Sequence, residues 1–223
     1  MNFSVIIVAG GSGLRMNSDI PKQFLELSGI PVLMHTVNAF YKYDPTISII
    51  VVLPEHQIAY WKELCRKYSF NINHKIAQGG DSRFQSVKNG LEYITKGLVA
   101  IHDGVRPLVS SKTISKAFEL AEKDGNAIPT IDIDESLRFQ LGNSNSVIDR
   151  ENVKVIQTPQ VFHSDKIKNA YDQEYDVKFT DDACVLESAG ERIYLSPGNK
   201  ENIKITSPSD LIIAEAMLKL FED

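Results

Sequence analysis

The sequence of 223 residues has few cysteines and no excess of positive charge. The two cysteines, Cys65 and Cys184, are far apart and neither lies in a C-x-x-C pair. We therefore predict buried thiols, not a disulfide framework or a zinc site. The formal net charge of −5 argues against the basic surface that is typical of nucleic-acid-binding proteins. An anionic ligand must then be bound by cations close to it, because the overall charge of the chain does not attract it.

The sequence also lacks a long apolar segment. The apolar run that ends at Gly10 is too short to span a bilayer, and the run over 211–218 contains Glu215 and has helical periodicity. No positively charged segment of the secretory type precedes the first run. We therefore predict a cytoplasmic protein that makes no membrane contact.

Strand-like and helix-like segments alternate along the chain, without an internal repeat. Such alternation is typical of an α/β fold, here a Rossmann-like, mostly parallel twisted sheet with helices on both faces. We predict one domain over 1–223. The predicted strands lie at about 3–9, 48–53, 74–77, 98–102, 126–131 and 192–196. The predicted helices lie at about 31–43, 55–68, 82–95, 111–124, 164–174, 180–189 and 207–221.

One segment, at about 134–157, interrupts this alternation. It consists of two extended pieces around a turn rich in glycine, asparagine and serine, at 142–146, which predicts a β-hairpin. An isolated two-stranded hairpin is only marginally stable in water. We therefore predict that this β-arm protrudes and contacts a second subunit, giving a homodimer.

The first predicted strand leads directly into a glycine-rich loop. Gly10 and Gly11 follow the apolar run 4–9, and Arg15 and Lys22 come shortly after them. Glycines let the backbone approach a ligand and turn its N–H groups toward phosphate oxygens. Two added cations favour a polyphosphate site over a tight connection whose basic residues are merely solvated.

Two common phosphate-binding motifs do not fit this loop. A Walker A loop requires a lysine directly after its last glycine, and none occurs here at that spacing. The dinucleotide fingerprint would begin at Gly11, but Met16 occupies its third small position. The segment 9–16, followed by P-K-Q-F at 21–24, resembles the corresponding segment of nucleotidyltransferases that join a nucleoside triphosphate to a sugar or polyol phosphate.

Two further segments follow predicted strands and are expected at the same sheet edge. In 102–107, Asp103 is placed to face Mg²⁺ or a ribose and Arg106 to bind an anionic substrate. The structural alternative is that Asp103 caps the next segment and pairs with Arg106. In 79–83, backbone N–H groups at a helix start suit a ligand oxygen, and Asp81 or Ser82 is expected to cap the helix.

Eight motifs occur in order along almost the whole chain. They are A-G-G-S-G-L-R-M (9–16), P-K-Q-F (21–24), G-G-D-S-R (79–83), H-D-G-V-R-P (102–107), I-D-R (148–150), T-P-Q (158–160), T-D-D-A (180–183) and N-I-K-I-T (202–206). This ordered set resembles the 2-C-methyl-D-erythritol 4-phosphate cytidylyltransferase family, which acts in the non-mevalonate isoprenoid route. Leu14 and the pair Gly104-Val105 depart from the pattern, since some relatives have arginine and two alanines there.

The resemblance implies transfer of CMP from CTP to the polyol phosphate, with a divalent cation such as Mg²⁺ bound near Asp103. It implies that cytidine and its phosphates are bound by Ala9, Gly10, Gly11, Gly80, Asp81, Ser86 and Asp103. The implied catalytic cations are Arg15, Lys22 and Lys204. The implied contacts to the polyol phosphate come from Arg106, Thr158 and Thr180, and from Ser136 and Arg150 on the arm of the other subunit.

Three alternatives remain at this point. The nearest is a ribitol 5-phosphate cytidylyltransferase, which shares the glycine loop and the P-K-Q-F segment. A sugar-1-phosphate nucleotidyltransferase usually needs a larger sugar domain than this chain offers. The alternative outside the enzymes is a nucleotide-binding sensor. None of the five histidines has metal-ligand spacing, and we assign catalysis to none of them.

Overall fold

The computed structural model describes residues 2–11 and 20–220. Its strands are β1 (Phe3–Val8), β2 (Glu26–Leu27), β3 (Ile30–Pro31), β4 (Ser48–Leu53), β5 (Lys75–Gln78), β6 (Leu98–Asp103), β7 (Asn126–Asp132), β8 (Leu137–Leu141), β9 (Ser144–Ile148), β10 (Lys154–Ile156), β11 (Gln160–His163) and β12 (Leu195–Pro197). Its α-helices are α1 (Val32–Tyr43), α2 (Glu55–Lys67), α3 (Arg83–Leu91), α4 (Ser111–Asp124), α5 (Ser164–Ala170), α6 (Asp182–Ser188) and α7 (Pro208–Leu220).

The main sheet has eight strands in the order β10-β7-β11-β6-β1-β4-β5, with β12 also paired to β7. Strand β1 runs parallel to β4 and β6, and β4 runs parallel to β5. The predicted α/β fold with a mostly parallel sheet is confirmed. Strand β11 was not predicted, and it lies antiparallel between β6 and β7. Its four residues are too few to show a strand period, and pairing on both sides supplies the hydrogen bonds that hold it.

Alternate residues of the central strands pack against helices on opposite faces. On β1, Val5 and Ile7 belong to a core cluster with α1, α2 and α4, whereas Ile6 belongs to a second cluster with α3, α5 and α6. All three side chains are fully buried. Strands buried on both faces read as continuous apolar runs, which explains why the sequence pattern located β1, β4 and β6 well.

Several predicted elements are longer than the observed ones. Helix α3 ends at Leu91 because its last turn tightens, with Tyr93 N–H donating to Gly90 O at 3.2 Å and Ile94 N–H to Leu91 O at 3.1 Å. Helix α5 ends at Ala170, four residues before its predicted end. None of the helices within 2–11 and 20–220 has the length and apolar character needed to cross a membrane.

The predicted hairpin is present as β8 and β9, which pair only with each other. It is shorter than predicted, because β10 returns to the main sheet and pairs antiparallel with β7. The register places the partly or largely exposed Leu137, Phe139 and Leu141 on one face. Nothing in the described structure tests whether this face contacts a second subunit, so the role of the arm stays a prediction.

Candidate active site

The site lies where the parallel strands end. Val8, the last residue of β1, is paired in register with Asp103, the last residue of β6. Leu53 at the end of β4 is likewise paired with Gln78 at the end of β5. The loops that follow these four strands therefore emerge at one edge of the sheet, as is usual for ligand sites in open α/β folds.

Under these loops lies a cavity of about 230 Å³, which we call the nucleotide cavity after the ligand predicted from the sequence. Its lining includes nine of the residues predicted from the sequence: Ala9, Gly10, Gly11, Lys22, Gly80, Asp81, Ser86, Asp103 and Lys204. Arg15, the remaining predicted cation of the loop, lies outside the described residues. The structure thus brings the two glycine segments and the Asp103 segment together around one space.

The second glycine segment is held by the start of helix α3. Ser82 caps the helix by accepting from Gln85 N–H at 3.0 Å, and Ser86 Oγ accepts from Gly80 N–H at 3.1 Å. A Cβ on Gly80 would lie 2.2 Å from Cγ of Gln85, so only glycine lets the loop pass this close to the helix. Of the two predicted caps, Ser82 is the one observed, and Asp81 is exposed at the cavity.

Three cationic side chains converge on the carboxylate of Asp103. Its Oδ2 accepts from Nε of Arg106 at 3.2 Å and lies 3.1 Å from Nζ of Lys204. Its Oδ1 lies 3.7 Å from Nε of Arg83. Burial raises the pKa of Asp103, but Arg83, Lys204 and Arg106 lower it by more and hold it well below its ordinary value. Asp103 is therefore ionised at neutral pH, within a positively charged surrounding.

His102, the residue before Asp103, is hydrogen-bonded at both ring nitrogens. Burial lowers the pKa of its fully buried ring to about 4, so the ring is neutral at pH 7. Its Nε2 lies 3.0 Å from the carbonyl oxygen of Arg106. A carbonyl only accepts, so Nε2 carries the proton and Nδ1 accepts from Thr158 Oγ1 at 3.0 Å. Thr158 Oγ1 in turn accepts from the N–H of Asp103 at 3.1 Å, which fixes the end of β6 against the 157–160 segment.

A second cavity of about 290 Å³ adjoins the cluster, and we call it the acceptor cavity after the polyol phosphate predicted from the sequence. Its lining includes five predicted residues: Asp103, Arg106, Thr158, Thr180 and Lys204. Arg83, Asp103 and Lys204 line both cavities. The two spaces therefore share one wall that is rich in cations.

Two predicted substrate contacts lie away from both cavities within this chain. Ser136 and Arg150 are exposed at the base of the hairpin, where Nη1 of Arg150 donates to the carbonyl oxygen of Asp134. Neither lines the nucleotide cavity or the acceptor cavity. The prediction that they act in a partner's site is untested by a structure of one chain.

Sequence reasoning missed several residues that shape the site. Asp182 binds Arg83 through both carboxylate oxygens, at 2.8 and 2.6 Å. Gln23 of the P-K-Q-F motif donates to the carbonyl oxygen of Ala9 at 2.8 Å, and Asn202 donates to that of Thr158 at 2.7 Å. All of these lie inside the quoted motifs. The motifs thus marked their positions, but no local pattern indicated their partners.

The donor groups suit a cation that arrives with its ligand better than a resident metal. Within 2–11 and 20–220, no group of three His, Cys, Asp or Glu side chains is placed to hold a metal ion. Asp103 offers one ionised carboxylate to such a cation. Mg²⁺ commonly binds through one or two carboxylates together with substrate phosphates.

Comparisons with known proteins agree on one family. The sequence profile described as 2-C-methyl-D-erythritol 4-phosphate cytidylyltransferase (IspD) matches residues 3–220. Proteins of that name from Phocaeicola vulgatus and Bacteroides thetaiotaomicron are 52% and 51% identical over 219 residues, covering 98% of this chain and 100% of each relative.

Solved structures give the same result. The crystal structure of 4-diphosphocytidyl-2C-methyl-D-erythritol synthase from Anaerococcus prevotii is similar with a TM-score of 0.83 at 28% identity, covering 98% of both chains. The bifunctional IspDF of Campylobacter jejuni has a TM-score of 0.81 at 29% identity, covering 95% of this chain and 54% of that one. Profile, sequence identity and fold agree over nearly the whole length, and the chain belongs to the 2-C-methyl-D-erythritol 4-phosphate cytidylyltransferase family.

Proposed function

We propose that this chain transfers the CMP group of CTP to 2-C-methyl-D-erythritol 4-phosphate and releases pyrophosphate. The observation that carries the proposal is the cationic wall, with Asp103 and Lys204, between the nucleotide cavity and the acceptor cavity. A transfer between two anionic substrates requires two adjacent spaces with positive charge at their junction. Membership of the family supports the identity of both substrates.

In the proposed reaction, a phosphate oxygen of the acceptor attacks the α-phosphorus of CTP in line. The new P–O bond forms as the bond between the α-phosphorus and the β-phosphate oxygen breaks, and pyrophosphate leaves with the electron pair. The attacking phosphate is already an anion, so no general base is needed. Lys22 and Arg15 neutralise the triphosphate, and Lys204 and Arg106 draw the acceptor phosphate toward the wall.

We infer that Mg²⁺ accompanies CTP and that Asp103 is its protein contact. When bound, the cation neutralises part of the triphosphate charge. The chain itself contributes an ionised carboxylate whose Oδ1 lies 3.7 Å from Nε of Arg83. Arg106 and Lys204 contact the other oxygen, at 3.2 and 3.1 Å.

We further propose a cytoplasmic homodimer of single-domain chains in which the β8–β9 arm completes the partner's site. The exposed Phe139 and Leu141, which share one face of the arm, support burial against a second copy. The guanidinium of Arg150 suits bidentate contact with a phosphate. Both cysteines are free thiols, in keeping with a reducing compartment.

The decisive experiment measures CTP-dependent pyrophosphate release with two acceptors. We expect kcat/KM for 2-C-methyl-D-erythritol 4-phosphate to exceed that for D-ribitol 5-phosphate on the order of 10-fold or more, because the acceptor cavity must match one polyol. The reverse preference would support the ribitol alternative. Tight CTP binding without pyrophosphate release from either acceptor would support the sensor alternative.

A further inference from the structure

Arg83 has the most elaborate support of the three cations around Asp103. Both of its terminal nitrogens donate to Asp182, at 2.8 Å from Nη1 to Oδ1 and 2.6 Å from Nη2 to Oδ2. Asp182 is completely buried and also accepts from the hydroxyl of Tyr171 at 2.6 Å. Arg106 and Lys204 have no comparable acid behind them within the described residues, since their ion pairs are with Asp103.

The position of this pair connects separate parts of the site. Arg83 begins helix α3, directly after the second glycine segment, and Asp182 begins helix α6, directly after Thr180 and Asp181. The ion pair thus ties the loop of the nucleotide cavity to the loop of the acceptor cavity. The side chain of Arg83 is 31% exposed, and its guanidinium lies in the wall that both cavities share.

We propose that Arg83 is a positioning residue for Asp103, fixed between the two cavities by its bidentate pair with Asp182. The shortest contacts of Arg106 and Lys204 to Asp103 are both with Oδ2. Arg83 faces Oδ1 and limits rotation of the carboxylate, so that this oxygen points into the wall where the substrates meet. Tyr171 keeps Asp182 from turning away. The proposal rests on the cytidylyl transfer inferred above, and it adds residues that act through Asp103.

A buried ion pair serves structure alone in many proteins, and its replacement by uncharged groups is then often tolerated. Removal of Arg83 alone would leave Asp182 as an unpaired buried anion and destabilise the fold strongly, so a single truncation confuses folding with positioning. The double variant Arg83→Met/Asp182→Asn removes both charges and keeps an acceptor for Tyr171. The matched control is Lys166→Met/Glu191→Gln, which removes a 2.8 Å ion pair outside both cavities.

The test compares kcat, both KM values and thermal unfolding of these variants with wild type, together with crystal structures of the unliganded proteins. We expect Arg83→Met/Asp182→Asn to unfold near the wild-type temperature and to lose at least about 10-fold in kcat, because a displaced group near the reacting atoms is costly. Its Asp103 side chain should adopt another rotamer. The control should match wild type in kcat and in the Asp103 rotamer.

Wild-type kcat in the folded double variant, with Asp103 unmoved, would overturn the proposal. If the double variant does not fold, Arg83→Lys decides the question, since its ammonium pairs with Asp182 but cannot bind it bidentately and also face Asp103. Wild-type kcat in Arg83→Lys would also overturn the proposal. If wild type itself releases no pyrophosphate, the proposed function fails separately, and the Asp103 rotamer still tests the positioning role.

Discussion

At the scale of residues, the charge of Lys22 is the feature most directly tied to the proposed transfer. Its side chain lines the nucleotide cavity, and a Cβ on Gly11 would lie 3.9 Å from its Nζ. The ammonium group is thus beside the backbone that is expected to bind the phosphates. In the proposed reaction, charge on those phosphates increases as the leaving group departs, so we expect the cation to stabilise the transition state more than the bound substrate.

We therefore expect Lys22→Ala to lower kcat on the order of 10²-fold or more while thermal unfolding changes little. Steady-state kinetics and a melting curve check this result. Lys62→Ala, an exposed lysine of α2, is the matched control and should keep wild-type turnover. A Lys22→Ala protein that folds and turns over normally would remove Lys22 from the proposed mechanism. Arg15→Ala, although outside the described residues, is expected to behave like Lys22→Ala.

The buried ring of His102 leads to a second prediction at this scale, about how stability depends on pH. Its pKa is lowered by burial to about 4 in the folded chain, against an ordinary value of 6.5. The unfolded chain then binds a proton before the folded chain does, so stability falls as pH drops below 6.5 toward 4. We expect His102 to account for a loss of about 2 kcal/mol between pH 7 and pH 5.

The measurement is the free energy of unfolding of wild type and His102→Gln at both pH values. The variant retains an amide that can donate and accept, but it does not titrate. We expect it to be less stable than wild type at pH 7 and to lose less stability on acidification. Equal losses in the two proteins would show that the ring does not remain neutral in the folded state.

At the scale of elements, the site depends on how closely the ends of β1 and β6 approach. Gly104 follows β6, and its N–H donates to the carbonyl oxygen of Val8 at 2.8 Å. A Cβ on Gly104 would lie 2.9 Å from Cβ of Ala9 and 3.1 Å from Cδ1 of Leu33. Neither the backbone-bound methyl of Ala9 nor the buried Leu33 has room to move freely. The glycine therefore sets the spacing between the loop after β1 and the Asp103 segment.

We expect Gly104→Ala to destabilise the chain by about 1–3 kcal/mol through overpacking. The displaced Ala9 should also raise KM for CTP more than KM for the polyol phosphate, because Ala9 lines only the nucleotide cavity. Denaturant unfolding and initial-rate kinetics measure the two effects. Gly142→Ala, which meets nothing within 4 Å but has φ +57°, is a control for lost backbone freedom. Equal changes in both KM values would contradict the role of this spacing.

At the scale of the whole molecule, the position of the arm leads us to predict that a single chain lacks part of its active site. Arg150 is exposed and lines neither cavity of its own chain, and the apolar face of β8 is uncovered. An arm that crosses a two-fold axis would bury this face and deliver Arg150 to the partner's acceptor cavity. Arg150→Ala should then weaken binding of the polyol phosphate more than binding of CTP.

Mixing inactive Arg150→Ala with inactive Lys22→Ala chains should restore activity. Each hybrid dimer contains one site with intact Lys22 and an intact incoming Arg150, so random exchange should recover about a quarter of the wild-type activity per site. Pyrophosphate release and separation of tagged heterodimers measure the recovery. Heterodimers without activity would assign Arg150 to its own subunit's site. Full activity in a monomer would exclude the proposed arm.

The sequence by itself determined the alternation of strands and helices and the position of the glycine loops. These features have local causes: continuous apolar runs mark β1, β4 and β6, and serine before a periodic run marks the start of α3. The order of motifs also indicated Ala9, Gly80, Asp103 and Lys204 through the resemblance to the family, and all four line one cavity. The single-domain organisation and the roles of the individual residues remain predictions.

Only the tertiary structure decided the antiparallel insertion of β11, the neutral state of His102 and the pair of Arg83 with Asp182. The last two residues are 99 positions apart, and His102 is neutral because surrounding side chains exclude water. Propensity and periodicity act over a few residues, whereas these features arise from contacts between distant segments. Packing therefore sets the charge state of a side chain and the partner that it contacts. A pattern along the chain carries no information about that packing.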